Sequence, residues 1–336
     1  MSILLKSRWL LLFILLLALF LINLSLGSVD IPIRAIIAIL TGSGGDPVWT
    51  SIVIDFRLTK ALTCVLAGGA LSVSGLVMQT LFRNPLAGPD VLGLTSGASL
   101  AVSLVFMGYS LGVAVFSISN PWAVALAASV GSTMVFLIVL ALSTKVRNNA
   151  SLLIIGLMIG AGTSSIVSVL QFISKAEDVQ TYMIWTFGSL GSLSWPEIQV
   201  LALILAAGAV IAFVSIKAMN AWLLGPNYAQ SLGIRLGRAR FLMIMASSIL
   251  TGGVTAFCGP IAFIGLAVPH LVKLLFRTHN HKVLIPSVLA GGGILLLFCD
   301  TLAQLPGQSQ VLPINAMTAL VGAPVVIWVI LKNRIV

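Results

Sequence analysis

Few residues in this 336-residue chain could perform acid–base, nucleophilic or metal chemistry. The three histidines, His270, His279 and His281, lie close together, but no carboxylate or cysteine beside them completes a metal shell. We therefore interpret them as part of a solvated basic turn. The cysteines stand in apolar runs without a CxxC spacing, which favours packing over metal or redox chemistry; they are Cys64, Cys258 and Cys299. The sequence predicts no catalytic residue, metal site or cofactor.

Motifs that identify common enzyme classes are also missing from the sequence. There is no GxxxxGK[ST] phosphate-binding loop, no HExxH and no GxSxG. Ion-driven carriers bury carboxylates within the membrane, and the candidate here, Asp300, falls near the outer end of its predicted span. We expect a passive conduit that receives its energy from elsewhere. An ATP-independent secondary carrier and an intramembrane enzyme are the alternatives from other classes.

Long apolar segments are the elements that must position any functional residue. The chain is 59% hydrophobic and 8% charged, and a soluble protein of this size could not bury so much apolar surface. At about 20 residues per span, about ten spans fit. The sequence predicts an all-α, polytopic membrane protein with residues 1–336 in one transmembrane domain. The predicted spans are 9–27, 58–81, 94–113, 121–142, 151–173, 193–214, 239–257, 260–276, 283–304 and 312–331.

The basic residues give a nearly independent check on these spans. The net charge of +10 would suggest nucleic acid for a soluble protein, but here fourteen of the 18 Lys and Arg residues fall in alternate loops. This pattern follows the positive-inside rule and predicts cytoplasmic termini, with an uncleaved first span after Lys6 and Arg8. We expect contact with anionic lipid and no nucleic-acid partner. The four outer basic residues are Arg34, Arg57, Lys60 and Lys175.

Three loops are longer than a minimal turn. The external loop 28–56 contains the amphipathic piece IPIRAIIAIL and the breaker TGSGGDP, which together predict a short interfacial helix. Loop 174–193 is also external. The cytoplasmic loop 217–240 is the most basic, yet it carries Trp222, Leu224 and Leu232. Apolar residues in such a loop indicate docking onto a protein partner.

Two segments resemble each other. NPLAGPDVLGLT, residues 84–95, and GPIAFIGLA, residues 259–267, each place Pro-x-Ala a few residues before Gly-Leu. One follows a span that runs inward and the other a span that runs outward. Broken helices at corresponding positions of oppositely oriented halves predict inverted-topology repeats around a central path.

Five motifs in order carry a resemblance to a known family. The chain resembles the FecCD-type permease family of ABC importers for ferric siderophores, haem and cobalamin, and the likeness covers nearly all of it. The resemblance implies inward transport of a ferric-siderophore-type chelate across a bacterial inner membrane, with cobalamin or haem as the alternative. The motifs are DFRLTKAL (55–62), RNPLAGPDVLG (83–93), LGPNYAQSLGI (224–234), GPIAFIGLAVPH (259–270) and LPINAMTALVGAP (312–324).

The resemblance also implies an assembly. It predicts a homodimer or heterodimer of ten-helix permeases, two copies of a cytoplasmic ATP-binding subunit, and a periplasmic or lipid-anchored binding protein. Loop 219–240 would couple to the ATPase through two short helices broken near Gly225. Family members often carry an acidic residue after that glycine, where this chain has Pro226. The residues implied for coupling are Leu224, Gly225, Ala229, Leu232 and Gly233.

Docking and gate residues follow from the same resemblance. Arg57 and Lys60 match the basic positions at the outer mouth that meet acidic residues of the binding protein. The alternative is that they anchor a helix end at the interface. The inner constriction corresponds to the turns after the second and fourth spans, although ordinary helix-end turns would look the same. The implied gate residues are Asn84, Pro85, Leu86, Asn148, Asn149 and Ala150.

Overall fold

A computed structural model describes residues 3–27, 29–108, 121–146, 149–304 and 311–333, and within these ranges the chain consists of helices joined by turns. The α-helices are α1 (Ile3–Ser25), α2 (Ile33–Leu40), α3 (Pro47–Ser51), α4 (Thr59–Phe82), α5 (Leu94–Met107), α6 (Pro121–Lys145), α7 (Asn149–Ile173), α8 (Ala176–Thr186), α9 (Trp195–Val214), α10 (Ile216–Leu223), α11 (Pro226–Ser231), α12 (Leu236–Cys258), α13 (Ile264–Phe276), α14 (His281–Ala303) and α15 (Ile314–Asn333). A π-helical segment, Ile52–Leu58, joins α3 to α4, and a 3-10 turn, Pro89–Leu92, precedes α5.

The predicted all-α membrane fold is confirmed. Among the described residues, seven helical stretches are long and apolar enough to cross a membrane, and three shorter apolar helices accompany them. These shorter helices correspond to α5, α13 and α15. The count of about ten spans stays a prediction.

The second span begins earlier than its predicted start at residue 58. Helical structure is continuous from Pro47 to Phe82, because Asp46 caps the first turn and Pro47 occupies a first-turn position that needs no N–H donor. The Asp46 carboxylate accepts from the backbone N–H of Val48 at 2.7 Å. The external loop is therefore shorter than predicted, although α2 forms within it as expected.

Helix α4 lies at the centre of the helical bundle. Its residues are buried from Ala67 to Phe82, and it packs against α9, α12, α13 and α14. Glycines permit this close approach: a Cβ on Gly68 would collide with the carbonyl of Gly292, and one on Gly75 with the carbonyl of Gly265. Small residues let membrane helices approach without a hydrophobic driving force. The packing role expected of the three cysteines is confirmed, because all are buried and unbridged.

The two related Gly/Pro segments have similar local geometry. Helix α5 begins after Gly93 in the left-handed conformation, and α13 begins after Phe263, which is also left-handed. Both helices are short, with 14 and 13 residues. This likeness supports the repeat interpretation, while the inverted relation of the two halves stays a prediction.

Of the other two long loops, one differs from the sequence expectation and one agrees with it. The external loop 174–193 contains helix α8, which no sequence pattern singled out. In loop 217–240, predicted to be cytoplasmic, α10 and α11 form the two expected short helices. They are separated at Gly225, whose φ of 109° suits glycine rather than an L side chain.

Candidate functional site

Helices α10 and α11 and the residues between them, 216–231, form what we call the coupling segment. Three apolar side chains spaced four residues apart remain exposed on or beside it: Leu224 at 63%, Tyr228 at 52% and Leu232 at 57%. We call these three exposed side chains the apolar ridge. Large exposed apolar groups at such a position are typical of a protein-docking surface.

The remaining predicted coupling residues shape the segment from within. Ala229 is fully buried, and its carbonyl accepts from the backbone N–H of Ile234 at 3.0 Å. Gly233 is left-handed with a φ of 82° and turns the chain toward α12. The exposed large apolar residues on or beside the segment are those of the ridge. Tyr228 is an addition to it that the sequence analysis did not make.

The coupling segment is attached to the C-terminal end of α4. The fully buried Trp222 donates its indole N–H to the carbonyl of Leu81 at 3.1 Å. Beside it, the ring of His281 lies between Asn220 Oδ1 and Thr80 Oγ1, at 2.8 Å from each. Both contacts reach the last turn of α4, one at the carbonyl of Leu81 and the other at the hydroxyl of Thr80.

The first predicted gate turn follows directly, and we call residues 83–86 the gate turn. Arg83 ends α4 in the left-handed conformation, and Asn84 Oδ1 accepts from the backbone N–H of Leu86 at 2.9 Å. His270 binds the carbonyl of Pro85 at 2.8 Å. Pro85 and Leu86 are exposed.

The solvated basic turn predicted for the histidines is wrong for two of them. His270 and His281 are buried, and each has a polar partner on α4 or in the gate turn. Of the three histidines, His279 alone is exposed. Neither buried ring has the carboxylate or cysteine neighbours of a metal site among the described residues.

The second predicted gate turn is described only in part. Asn148 lies outside the described residues, and Asn149 begins α7. Ala150 lines a cavity of about 1160 Å³ together with Arg83, which precedes the predicted gate residues 84–86. The structure thus brings the neighbourhoods of both turns to one cavity, whose walls also include Trp222 and Asn227 of the coupling segment.

Arg57, predicted to dock a binding protein, is buried in this structure. Its guanidinium donates to the carbonyls of Leu24 at 2.9 Å and Ser25 at 3.0 Å, and also to that of Val29. These bonds satisfy backbone groups at and just beyond the C-terminal end of α1. The geometry therefore favours the anchoring alternative for Arg57.

Lys60 takes part in a polar cluster at the C-terminal ends of α1 and α14 and the N-terminal end of α4, which we call the outer polar cluster after the side predicted from the sequence. Its Nζ lies 3.3 Å from Asp300 Oδ2, and the same oxygen accepts from Asn23 Nδ2 at 2.7 Å and Gln304 Nε2 at 2.6 Å. Asp300 and Asn23 are buried, whereas the Lys60 side chain keeps 17% of its surface exposed. Of the two predicted docking cations, Lys60 alone retains a surface for a partner.

Helix α7 exposes small and hydroxyl-bearing residues along its middle. Ala161, Gly162, Ser164, Ser165 and Ser168 are all exposed. Large apolar side chains are exposed at other positions of the same helix, among them Met158, Ile166 and Val169. A small, polar helix face suits close approach to another helix or contact with water better than contact with lipid.

Comparison with known proteins decides the family. The sequence model of the FecCD transport family matches residues 15–332. The chain belongs to this family. It is 34% identical over 325 residues to the hemin transport system permease protein of Yersinia pestis, which covers 96% of this chain and 95% of that protein. It is 35% identical over 283 residues to the vitamin B12 import system permease protein of Photorhabdus laumondii subsp. laumondii, covering 83% and 82%.

The fold of this FecCD chain is also that of a solved relative. A metal-chelate type ABC transporter in an inward-facing conformation superposes with a TM-score of 0.84 at 27% identity, covering 97% of this chain and 99% of the other. The resemblance drawn from the five motifs is confirmed. This FecCD chain is an ABC importer permease, which is a transport subunit rather than a catalytic one.

Several contacts of this FecCD permease could not be read from the sequence. His270 closes the GPIAFIGLAVPH motif, so its place in the motif was a signal, but its bond to Pro85 depends on how α13 packs beside α4. Trp222 stood out as an apolar residue in a basic loop. Asn23, which binds Asp300 277 positions away, carried no signal.

Proposed function

We propose that this permease moves a ferric-siderophore-type chelate inward across the bacterial cytoplasmic membrane, driven by a separate ATPase subunit. The observation that carries the proposal is the family match across residues 15–332. The lack of a phosphate-binding loop in the sequence supports a separate source of energy.

Haem is the second candidate ligand, and cobalamin the third. The hemin permease of Yersinia pestis aligns with 96% of this chain, and the vitamin B12 permeases align with more than four fifths of it. All three ligands are bulky metal chelates, so the same path could pass any of them. The choice among them is a matter for uptake measurements.

The ligand path runs along α7 in this proposal. The exposed face at Ala161, Ser165 and Ser168 is small and polar, and it suits a water-containing path shared with a second permease subunit. That subunit is a second copy of this chain or a related permease. Exposed apolar residues at the ends of the same helix, Ile154 and Phe172, would be covered in the dimer.

Two further partners complete the assembly. The apolar ridge of Leu224, Tyr228 and Leu232 would dock one cytoplasmic ATP-binding subunit. The second permease subunit would dock the other. A periplasmic or lipid-anchored binding protein would dock at the outer mouth near Lys60. The orientation with both termini in the cytoplasm is part of this proposal, and it is supported by the distribution of Lys and Arg.

Uptake by the reconstituted complex tests the function. The permease, its ATPase and its binding protein are placed in proteoliposomes and supplied separately with a labelled ferric siderophore, haem and cobalamin. We expect ATP-dependent uptake of the siderophore. Uptake of haem or cobalamin instead would correct the ligand, and no ATP-dependent uptake of any metal chelate would reject the function.

Docking at Lys60 is tested separately. Lys60→Glu should weaken binding of the binding protein to the reconstituted complex, since a charge-assisted hydrogen bond contributes about 1.5–3 kcal/mol. Changing an acidic residue of the binding protein to Lys should restore docking. Unchanged affinity of the Glu variant would leave Lys60 with only its structural role beside Asp300.

A further inference from the structure

The gate turn is held from two sides by buried side-chain N–H donors. Trp222, on the coupling segment, donates to the carbonyl of Leu81, two residues before the turn, at 3.1 Å. His270, on α13, lies 2.8 Å from the carbonyl of Pro85 within the turn. Because a carbonyl oxygen only accepts hydrogen bonds, His270 must carry a proton on Nε2.

Both bonds reach carbonyls at or just beyond the C-terminal end of α4. Leu81 is in the last turn of α4, and Pro85 lies beyond the helix end. Arg83 between them is left-handed, so the helical ladder stops there. The position of the gate turn is therefore set by these side chains as well as by its own short hydrogen bonds.

A parallel contact ties the same end of α4 to the coupling segment. Asn220 Oδ1 accepts from the backbone N–H of His281 at 2.9 Å and contacts its Nδ1 at 2.8 Å. The Nε2 of His281 meets the Thr80 hydroxyl at 2.8 Å. Breaking polar contacts of this kind costs free energy, because it leaves a buried polar group without a hydrogen-bond partner. The coupling segment and the last turn of α4 should therefore move together.

We propose that Trp222 and His270 are positioning residues of the cytoplasmic gate. Trp222 joins the gate turn to the coupling segment, and His270 joins it to α13. When the ATPase displaces the coupling segment, Trp222 transmits the displacement to Leu81, and the turn shifts relative to the His270 contact. This inference rests on the proposed function and on the gate role that the family resemblance implies for residues 84–86.

The first experiment measures opening of the turn in the permease alone. Ala87 is fully buried beneath the gate turn, and the three natural cysteines are buried as well. In an Ala87→Cys background, a membrane-impermeant maleimide is applied to the cytoplasmic face of inside-out vesicles. Trp222→Phe keeps an aromatic ring but loses the indole N–H donor, and His270→Leu loses the imidazole N–H donor. Since one net hydrogen bond shifts an equilibrium by about fivefold, each should raise the labelling rate about fivefold.

Matched variants separate positioning from general packing. His270→Gln keeps an N–H donor of similar reach, and Trp9→Phe alters an indole that packs on Phe276, away from the gate turn. Both should label within about twofold of the background. Unchanged labelling in Trp222→Phe and His270→Leu would overturn the proposal. If Trp222→Phe fails to fold, the comparison of His270→Leu with His270→Gln decides the matter.

The second experiment measures chelate transported per ATP hydrolysed in the reconstituted complex. A residue needed only for folding would lower transport and hydrolysis in proportion, leaving their ratio unchanged. We expect Trp222→Phe to retain ATP hydrolysis and lower the ratio about fivefold. An unchanged ratio would overturn the coupling role. Failure of the unsubstituted complex to transport any metal chelate would reject the proposed function instead, and the labelling result would still stand.

Discussion

Removing the carboxylate of Asp300 should destabilise the permease more than any other single change in the outer polar cluster. One buried oxygen, Asp300 Oδ2, accepts hydrogen bonds from Asn23 Nδ2 at 2.7 Å and Gln304 Nε2 at 2.6 Å. The same oxygen forms an ion pair with Lys60 Nζ at 3.3 Å. The cluster joins α1, α4 and α14 where no covalent link or short loop connects all three. Asp300→Ala would remove the ion-pair partner of Lys60 and the shorter hydrogen bond of each amide, leaving Asn23 Nδ2 with Thr301 Oγ1 and Gln304 Nε2 with the backbone carbonyl of residue 300, both at 3.3 Å.

The magnitude follows from the burial of the partners. Breaking a buried ion pair by removing one member costs about 3–5 kcal/mol. Because the Lys60 side chain retains 17% exposure and can reach water, we expect the lower end, about 3 kcal/mol. Lys60→Met should cost less, since Asp300 keeps its two amide donors. The double change Lys60→Met with Asp300→Leu should recover part of the loss, because apolar replacements avoid leaving an unpaired charge.

Denaturant titration of the purified permease in mixed micelles measures these differences. Glu177→Ala is the matched control, since Glu177 is an acidic residue on the exposed surface of α8. It should leave the free energy of unfolding within about 0.5 kcal/mol of the unsubstituted chain. If the Asp300→Ala variant unfolds at the same denaturant concentration as the Glu177→Ala control, the cluster does not hold these helix ends together and the reasoning is wrong.

The remaining predictions concern helix contacts and partner surfaces. Gly75→Ala should cost about 1–3 kcal/mol of stability by forcing α4 away from the Gly265 backbone, whereas Gly237→Ala, which meets no neighbouring atom within 4 Å, should be neutral in the same titration. Leu232→Glu should abolish copurification of the ATPase while Leu232→Met preserves it; retention by the Glu variant would remove the apolar ridge from the interface. Arg57→Glu should lower the yield of folded permease, because it strands the carbonyls of Leu24 and Ser25; a normal yield with lost docking would restore Arg57 to the docking surface.

Hydropathy and loop charge were sufficient to place most helices. The span predicted at 283–304 forms as His281–Ala303, and that at 193–214 forms as Trp195–Val214. In a membrane such apolar runs can adopt few structures other than an α-helix, because every backbone N–H and C=O group must be hydrogen-bonded within the segment. The start of the second span was misplaced because Asp55, Arg57 and Lys60 lower the local hydropathy, although Arg57 is buried against α1.

The sites were less readable than the helices because their contacts join residues far apart in the chain. The coupling segment was recognised from its mixture of basic and apolar residues, but periodicity could not show that Ala229 faces inward while Tyr228 faces out. The histidines were misjudged for a similar reason. His281 is surrounded by basic residues in the sequence, yet in the fold it lies between Asn220 and Thr80.

Dependence of uptake on ATP and on ion gradients tests the central claim most directly. Proteoliposomes containing this permease, with and without its ATPase and binding protein, are loaded with ATP and supplied with the metal chelate while proton and sodium gradients are imposed or collapsed. We predict uptake only when the ATPase and ATP are present, and undiminished uptake after the gradients are collapsed. Gradient-driven uptake by this chain alone would contradict the account.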